Sequence, residues 1–232
     1  MAIRTCTWTF QNTSQNIWFQ LLMLGLVTAF LPIRAIGQAS WEEFATRRTV
    51  LLSHAKDGLV FLKANSSEKE MEQAGWIQNA SFFYYTGLGE QPSAILVLDG
   101  PRDETHLFVP PDPFSFGVPV AGLSESPGDD TAQRLGLTSV RPWDAFETFI
   151  QERLDAGVAR LYIERPRPPE STGVPEGMQT VSGSMKLWEE SVRASFPDVG
   201  IESISSIVNE MRWVKSPNEI EILRKNAHMT TS

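Results

Sequence analysis

The stretch SAILVLDGPRDETHLFV, residues 93–109, decides the fold of this chain. Two apolar, β-rich runs at residues 93–98 and 105–109 enclose a polar segment whose glycine and proline permit a turn. The two runs therefore predict a hairpin or two neighbouring antiparallel strands. The prolines that follow residue 109 lack the N–H that a strand ladder needs, so the second run should end there.

Short apolar runs alternate with amphipathic stretches on both sides of this pair. Residues 59–62 and 160–163 have the length of buried strands, and residues 41–54 and 144–154 have the apolar period of helices. Two later stretches show the same helical period. The four apolar stripes are Trp41, Phe44, Leu51 and Leu52, with Ser40 as N-cap; Trp143, Phe146, Ile150 and Leu154; Met185, Trp188, Val192 and Phe196; and Ile204, Ile207, Val208, Met211 and Val214. This alternation predicts an α/β fold, a mixed β-sheet flanked by helices.

An aromatic block, NASFFYYTG at residues 79–87, lies between the first predicted strand and the hairpin. Adjacent aromatic side chains are more typical of core and interface packing than of ligand binding, so we expect a structural role. Gly87 closes the block, and we expect it to adopt a backbone angle that other residues avoid. Residues 65–72, 110–128 and 165–177 are rich in polar residues, Pro or Gly and predict irregular connections.

The first 39 residues have the composition of a targeting segment. They contain no Asp or Glu, carry a positive charge at Arg4, continue through an apolar centre and end in small residues before Ser40. This order predicts a secretory signal peptide at residues 1–39, and hence a secreted or periplasmic protein. A membrane anchor is the alternative, although Gln20 and Pro32 leave the apolar run shorter than the ~20 residues that a membrane span prefers.

The charge and the cysteine count exclude several classes of function. The formal net charge of −8 argues against nucleic acid as a partner, because nucleic-acid binding needs a positive surface. The only cysteine, Cys6, lies in the predicted signal peptide. Its removal would leave no thiol, which excludes a disulfide scaffold, a zinc–thiolate site and a cysteine hydrolase.

The segment MRWVKSPNEI, residues 211–220, predicts the start of a new helix. Ser216 and Glu219 have the spacing of a capping box, and Pro217 occupies the first helical position, where a missing N–H costs nothing. An apolar face follows, formed by Ile220, Leu223 and Ala227. We interpret this helix as the opening of a further domain.

Three of these segments, in their order and spacing, resemble aminopeptidase P and its relatives, the pita-bread metallopeptidases that include prolidase and creatinase. Residues 79–87 are similar to the family segment SDFYYLTG, and residues 94–99 and 105–109 match the strand pair that follows it. Residues 211–220 look like the family's junction between its N-terminal and catalytic domains.

The resemblance implies a domain organisation. Residues 40–215 would form a creatinase/aminopeptidase P N-terminal domain, and residues 216–232 would begin the first helix of a catalytic pita-bread domain. In the family, the N-terminal domain packs against the catalytic domain, narrows the active-site entrance and helps to form dimers or tetramers. We therefore expect this chain to form a homo-oligomer.

The resemblance also implies an activity for the intact enzyme. Relatives of aminopeptidase P release an N-terminal residue that precedes proline, with two divalent ions, commonly Mn²⁺, that activate a water held between them. Their ligands are two Asp, one His and two Glu, all in the C-terminal domain. We expect this chain to be inactive alone and to bind no metal by itself. The alternatives are a stand-alone secreted binding or assembly module, and a prolidase- or creatinase-like relative.

The residues of this chain predict no catalytic, cofactor-binding or metal-ligating site of their own. His54, His106 and His228 are scattered, and none belongs to an H-E-x-x-H pair. We expect His54 to lie at a helix C-terminus and His106 to lie on the surface of a strand.

Paired acidic residues are also better explained without a metal. Asp144 and Asp155 have nearly the spacing of the family's two Asp ligands, but a helix between them would separate their side chains by about 16 Å. They could not share a metal pair. The adjacent acids at residues 42–43, 129–130 and 189–190 predict helix-start charges or a solvated surface.

Overall fold

The computed structural model describes residues 40–65, 77–111, 114–115, 118–119, 125–165 and 183–231. The predicted signal peptide, most of the polar loop and parts of the two Pro-rich connections lie outside the described residues, as does the side chain of Met185. Within the described ranges, no helix is long and apolar enough to cross a membrane.

The described residues form one six-stranded sheet, a separate short strand pair and seven α-helices. The strands of the sheet are β1 (Gly58–Lys63), β2 (Ile95–Asp99), β3 (Glu104–Val109), β6 (Ser139–Pro142), β7 (Arg160–Ile163) and β8 (Gly200–Ser203); β4 (Phe114–Ser115) and β5 (Val118–Pro119) pair with each other. The helices are α1 (Trp41–Ser53), α2 (Ala80–Thr86), α3 (Asp129–Leu135), α4 (Phe146–Asp155), α5 (Gly183–Ser195), α6 (Ser205–Trp213) and α7 (Pro217–Thr231). Two 3-10 turns, Gly100–Arg102 and Trp143–Ala145, precede β3 and α4.

The strands lie in the order β6-β3-β2-β1-β7-β8. β2 is antiparallel to β1 and β3, whereas the other three neighbouring pairs are parallel. The mixed sheet and the hairpin of β2 and β3 are therefore confirmed. The turn between these two strands needs Gly100, because a Cβ atom there would lie 1.8 Å from the carbonyl oxygen of Ala55.

The sheet is buried on both faces. Val60 and Leu62 of β1 point to one face, Leu59 and Phe61 point to the other, and each is at most 1% exposed. Helices α1, α2, α3 and α6 pack on the first face, and α4 and α5 pack on the second. A strand that is buried on both sides is typically apolar on both faces, and residues 59–62 of β1 and 95–98 of β2 are accordingly continuous apolar runs without polar alternation.

The predicted helices at residues 41–54 and 144–154 are confirmed as α1 and as the 3-10 turn followed by α4. Ser40 caps α1 by accepting a hydrogen bond of 3.3 Å from the backbone N–H of Glu43. The prediction that Val214 belongs to the last helical stripe is wrong. Helix α6 ends at Trp213, and Val214 is extended and 71% exposed. The chain leaves the helical conformation there because α7 starts anew at Pro217.

The sequence predicts no helix in the aromatic block, yet these residues form α2. The Asn79 side chain accepts hydrogen bonds from the backbone N–H groups of Ser81 (2.9 Å) and Phe82 (3.0 Å), and Gly87 ends the helix with a φ of +72°. Phe82 and Tyr85 are fully buried, so the structural role of the block is confirmed. Helix α3 and strands β6 and β8 are also absent from the predicted elements.

A buried arginine joins the ends of two helices. Arg48 is 2% exposed and donates hydrogen bonds to the carbonyl oxygens of Tyr85 (2.8 Å), Leu135 (3.0 Å) and Gly136 (2.6 Å). These carbonyls lie at the C-termini of α2 and α3, which have no partners within their own helices. Burial lowers the pKa of Arg48 to about 10. The guanidinium therefore ties α1 to α2 and α3.

We expect Arg48→Met to lower the free energy of unfolding by about 2–4 kcal/mol, because the buried carbonyls of Tyr85 and Leu135 and the carbonyl of Gly136 lose their donor while the apolar stem is kept. Urea unfolding of the full chain measures the effect. Lys56→Met is the control, because Lys56 is exposed, and it should change the stability by less than about 0.5 kcal/mol. Equal effects in the two variants would contradict the structural role of Arg48.

Candidate functional site

The segment that resembles the family's domain junction forms the capping box that its sequence predicts. The Ser216 hydroxyl accepts a hydrogen bond of 3.1 Å from the backbone N–H of Glu219, and the Glu219 carboxylate accepts one of 2.9 Å from the N–H of Ser216. Pro217 is the first residue of α7. The predicted start of this helix is therefore confirmed.

Glu43 connects the start of α7 to the start of α1. Its carboxylate accepts hydrogen bonds from the Ser216 hydroxyl (2.6 Å) and the Asn218 amide (3.1 Å), and it forms an ion pair with Arg47. Burial alone would raise the pKa of Glu43, but the hydrogen bonds from Ser216 and Asn218 and the charge of Arg47 outweigh it and lower the pKa. We call Glu43, Arg47, Ser216, Asn218 and Glu219 the α7 junction.

Arg47 extends the α7 junction to the aromatic block. Its guanidinium lies 4.1 Å from the centre of the Tyr84 ring and donates a hydrogen bond of 3.0 Å to the Tyr84 carbonyl. A second nitrogen lies 3.5 Å from the Glu219 carboxylate. The Tyr84 hydroxyl in turn donates to the carbonyl of Met211 at 2.9 Å. Helices α1, α2, α6 and α7 are therefore joined at one place.

Large apolar side chains are exposed next to the α7 junction. Trp213 is 86% exposed and Val214 is 71% exposed, and Leu223 on α7 is 56% exposed. Large exposed apolar residues of this kind occur at interaction surfaces. The arrangement therefore combines a fixed helix start with an apolar surface that is open to a partner.

We expect Glu43→Ala to lower the free energy of unfolding by about 1–2 kcal/mol at neutral pH, because three donors lose their shared acceptor. The lowered pKa means that this contribution is present above the ordinary Glu pKa of 4.5 and is lost as the pH falls through the lower folded value. The difference from the unchanged chain should therefore shrink in acid. Urea unfolding at several pH values measures it.

Glu42→Ala provides the control for this variant. Glu42 lies in the same first turn of α1 and is exposed, so its loss should cost about 0.5 kcal/mol or less. If Glu42→Ala destabilised the chain as much as Glu43→Ala, the effect would come from charge at the helix start and not from the α7 junction.

A second group of polar residues is buried where β2 and β3 meet helix α4. The Arg153 guanidinium of α4 donates a hydrogen bond of 2.6 Å to Asp99 Oδ2 and lies 3.5 Å from Glu104 Oε2. His106 Nδ1 lies 2.8 Å from the Ser139 hydroxyl, and its Nε2 lies 3.2 Å from Glu104 Oε2. We call Asp99, Glu104, His106, Ser139 and Arg153 the β2–β3 cluster.

The prediction that His106 lies on a strand surface is wrong. His106 is 1% exposed, and its ring lies 4.7 Å from the ring of Phe149. The reason is that β3 has helix α4 over one face, and His106 shares that face with Phe108. Burial, together with the charge of Arg141, lowers the pKa of His106 to about 4, so the ring is neutral at physiological pH.

The other histidines and the two spaced aspartates do not form a site. His54 is the C-cap of α1, as predicted, and His228 is exposed on α7. Asp144 lies in a 3-10 turn and Asp155 at the end of α4, so the helix predicted between them is confirmed. Among the described residues, the β2–β3 cluster is the group that places His, Asp and Glu side chains close enough to share a ligand.

We expect Arg153→Met to cost about 3–5 kcal/mol of unfolding free energy, because it leaves the fully buried Asp99 carboxylate without its cation. Adding Asp99→Asn should recover at least about 1 kcal/mol, because the uncompensated charge is then removed. Arg193→Met, which breaks an exposed ion pair with Glu189, should cost less than about 1 kcal/mol. Urea unfolding of the four chains tests this, and no recovery in the double variant would contradict the pairing.

The aminopeptidase P N-terminal domain family matches residues 44–162, just over half of the chain. The chain belongs to this family. The matched region includes the aromatic block and the hairpin, whereas the α7 junction segment at residues 211–220 follows it. The β2–β3 cluster lies wholly within the matched region, and so does Glu43's partner Arg47.

Solved structures support the same fold for this aminopeptidase P N-terminal domain. A structure described as an aminopeptidase P from Bacillus anthracis has a TM-score of 0.61 and 22% identity, over 81% of this chain and 43% of that protein. Aminopeptidase P from Escherichia coli with the inhibitor Pro-Leu has a TM-score of 0.55 and 22% identity, over 81% and 42% of the two chains. Proline aminopeptidase P II from Yersinia pestis has a TM-score of 0.54 and 20% identity, with the same coverage.

The similarity to these three structures is a similarity of fold. The chain spans less than half the length of each of the three proteins. No curated protein sequence is significantly similar to the chain. Family membership and the α/β fold therefore follow from the comparisons.

Proposed function

We propose that this chain serves as the N-terminal domain of an Xaa-Pro aminopeptidase-like metallopeptidase. In this role it packs against a catalytic pita-bread domain, narrows the entrance to the active site and supports assembly into homo-oligomers. Membership of the aminopeptidase P N-terminal domain family is the basis of the proposal.

The observation that carries the proposal is the geometry of α7. Its first turn is held to α1 through Glu43, whereas Ile220 and Leu223, three residues apart on one side of the helix, are 37% and 56% exposed. A helix that is anchored at its start and apolar on an open side favours packing against another folded body. Trp213 and Val214, which precede the start of α7 in the chain, are also exposed.

The proposed activity of the whole enzyme is the release of an N-terminal residue that precedes proline, assisted by Mn²⁺ or a similar ion. The Escherichia coli aminopeptidase P was solved with the inhibitor Pro-Leu, which is a peptide that contains proline.

The described residues of this chain do not fit a two-ion centre. Their one group of His, Asp and Glu side chains offers three ligands, and Arg153 lies against two of them.

Residues 1–39 are proposed to act as a secretory signal peptide, which would place the protein outside the cytoplasm or in the periplasm. The support is compositional: a positive start, an apolar centre and no acidic residue before Ser40.

We expect the purified full chain to release no N-terminal residue from an Xaa-Pro peptide in the presence of added Mn²⁺, because the catalytic ligands belong to another domain. The assay follows the freed amino acid over time, with the Escherichia coli aminopeptidase P as the positive control. Metal-dependent turnover by this chain alone would overturn the proposal that catalysis belongs to another domain.

A further inference from the structure

Three side chains of the β2–β3 cluster converge at one edge of the buried space under α4. Asp99 ends β2, and the antiparallel register places it opposite Glu104 at the start of β3. His106 follows two residues later on the same face. One oxygen or ring nitrogen from each of the three residues lies within 4.8 Å of the other two.

Two atoms of these residues are buried without a hydrogen-bond partner, namely Asp99 Oδ1 and His106 Nε2. Both residues are at most 1% exposed. His106 Nε2 is 3.2 Å from Glu104 Oε2, but the contact is too poorly aligned for a hydrogen bond. An unsatisfied buried polar atom is destabilising, so a ligand that satisfies both atoms would be favoured.

The surroundings of His106 suit a ligand role. If the Nδ1–H donates to the Ser139 hydroxyl at 2.8 Å, the Nε2 lone pair is left on the side of the Glu104 carboxylate. Histidines that bind metals have their other ring nitrogen held by a hydrogen bond in this way.

We propose that Asp99 Oδ1, Glu104 and His106 Nε2 bind a single divalent transition-metal ion of the Zn²⁺ class. One imidazole nitrogen and two carboxylate oxygens are donors that Zn²⁺ accepts, whereas Mg²⁺ prefers oxygen donors and several retained waters. This site is independent of the two ions proposed for the catalytic domain.

Arg153 limits the affinity of the site without closing it. Its guanidinium occupies Asp99 Oδ2, which leaves Oδ1 for the ion. Its positive charge lies close to both carboxylates and opposes a second cation, so the site should bind Zn²⁺ more weakly than a dedicated structural zinc site. The Glu104 side chain is one-third exposed and provides the route from solvent.

The test uses the untagged full chain after removal of metals with a chelator. Calorimetric titration with Zn²⁺ should show one site per chain, and the ring Nε2 resonance of His106 should shift on Zn²⁺ addition but not on Mg²⁺ addition. At 100-fold excess over Kd, Zn²⁺ should raise the Tm by several degrees. His106→Gln should weaken binding at least tenfold, and His54→Gln, at the exposed C-cap of α1, should leave it unchanged.

Glu104→Gln serves as the second variant, because this partly exposed residue can be changed without a buried cavity. It should also weaken Zn²⁺ binding at least tenfold. Absence of Zn²⁺ binding by the unchanged chain would overturn the proposal, as would binding that survives both His106→Gln and Glu104→Gln. Peptidase assays play no part in this test, so its outcome is separate from that of the proposed function.

Discussion

The structure depends on the burial of β1 and β2 on both faces. All five residues of β2 and the first five of β1 are buried, so helices must cover the sheet above and below. This constraint removes water from the places where helices end against the sheet. Polar groups at those places must find partners within the protein, because an unsatisfied buried group is costly.

Two arginines meet this requirement on opposite faces. Arg48 satisfies the carbonyls at the ends of α2 and α3 on one face, and Arg153 pairs with Asp99 on the other. Each is carried by a helix whose neighbouring side chains are core residues. The two buried cations therefore give the sheet its specific helix positions, while the apolar strands supply the driving force for burial.

Much of the fold could be predicted from the sequence because its signals are local. The hairpin of β2 and β3, the strand β7 and helix α1 follow from apolar runs, turn residues and a helical period within one segment. The run of adjacent aromatics in helix α2 lacks a clear period, so the helix is not predicted, although Asn79 before it and Gly87 after it are local signals for its two ends. Strand β8 has mostly exposed side chains and so carries little apolar signal.

The α7 junction and the β2–β3 cluster show the same difference between local and long-range signals. The capping box of Ser216 and Glu219 is a four-residue pattern and could be predicted, whereas the partner role of Glu43 depends on residues 173 and 175 positions away. The prediction for His106 is wrong because it places a polar residue of a strand on the solvent-exposed face. The sequence does carry a signal for its burial: His106 and the apolar Phe108 are two residues apart, so they lie on the same face of the strand. Arg153 lies on the buried side of α4, which packs over that face.

The contact between Glu43 and Ser216 also places the start of α1 next to the start of α7. The segment from α1 to α6 therefore begins and ends at neighbouring points, so it could be reopened at a surface turn and rejoined by a short linker without stretching its sheet.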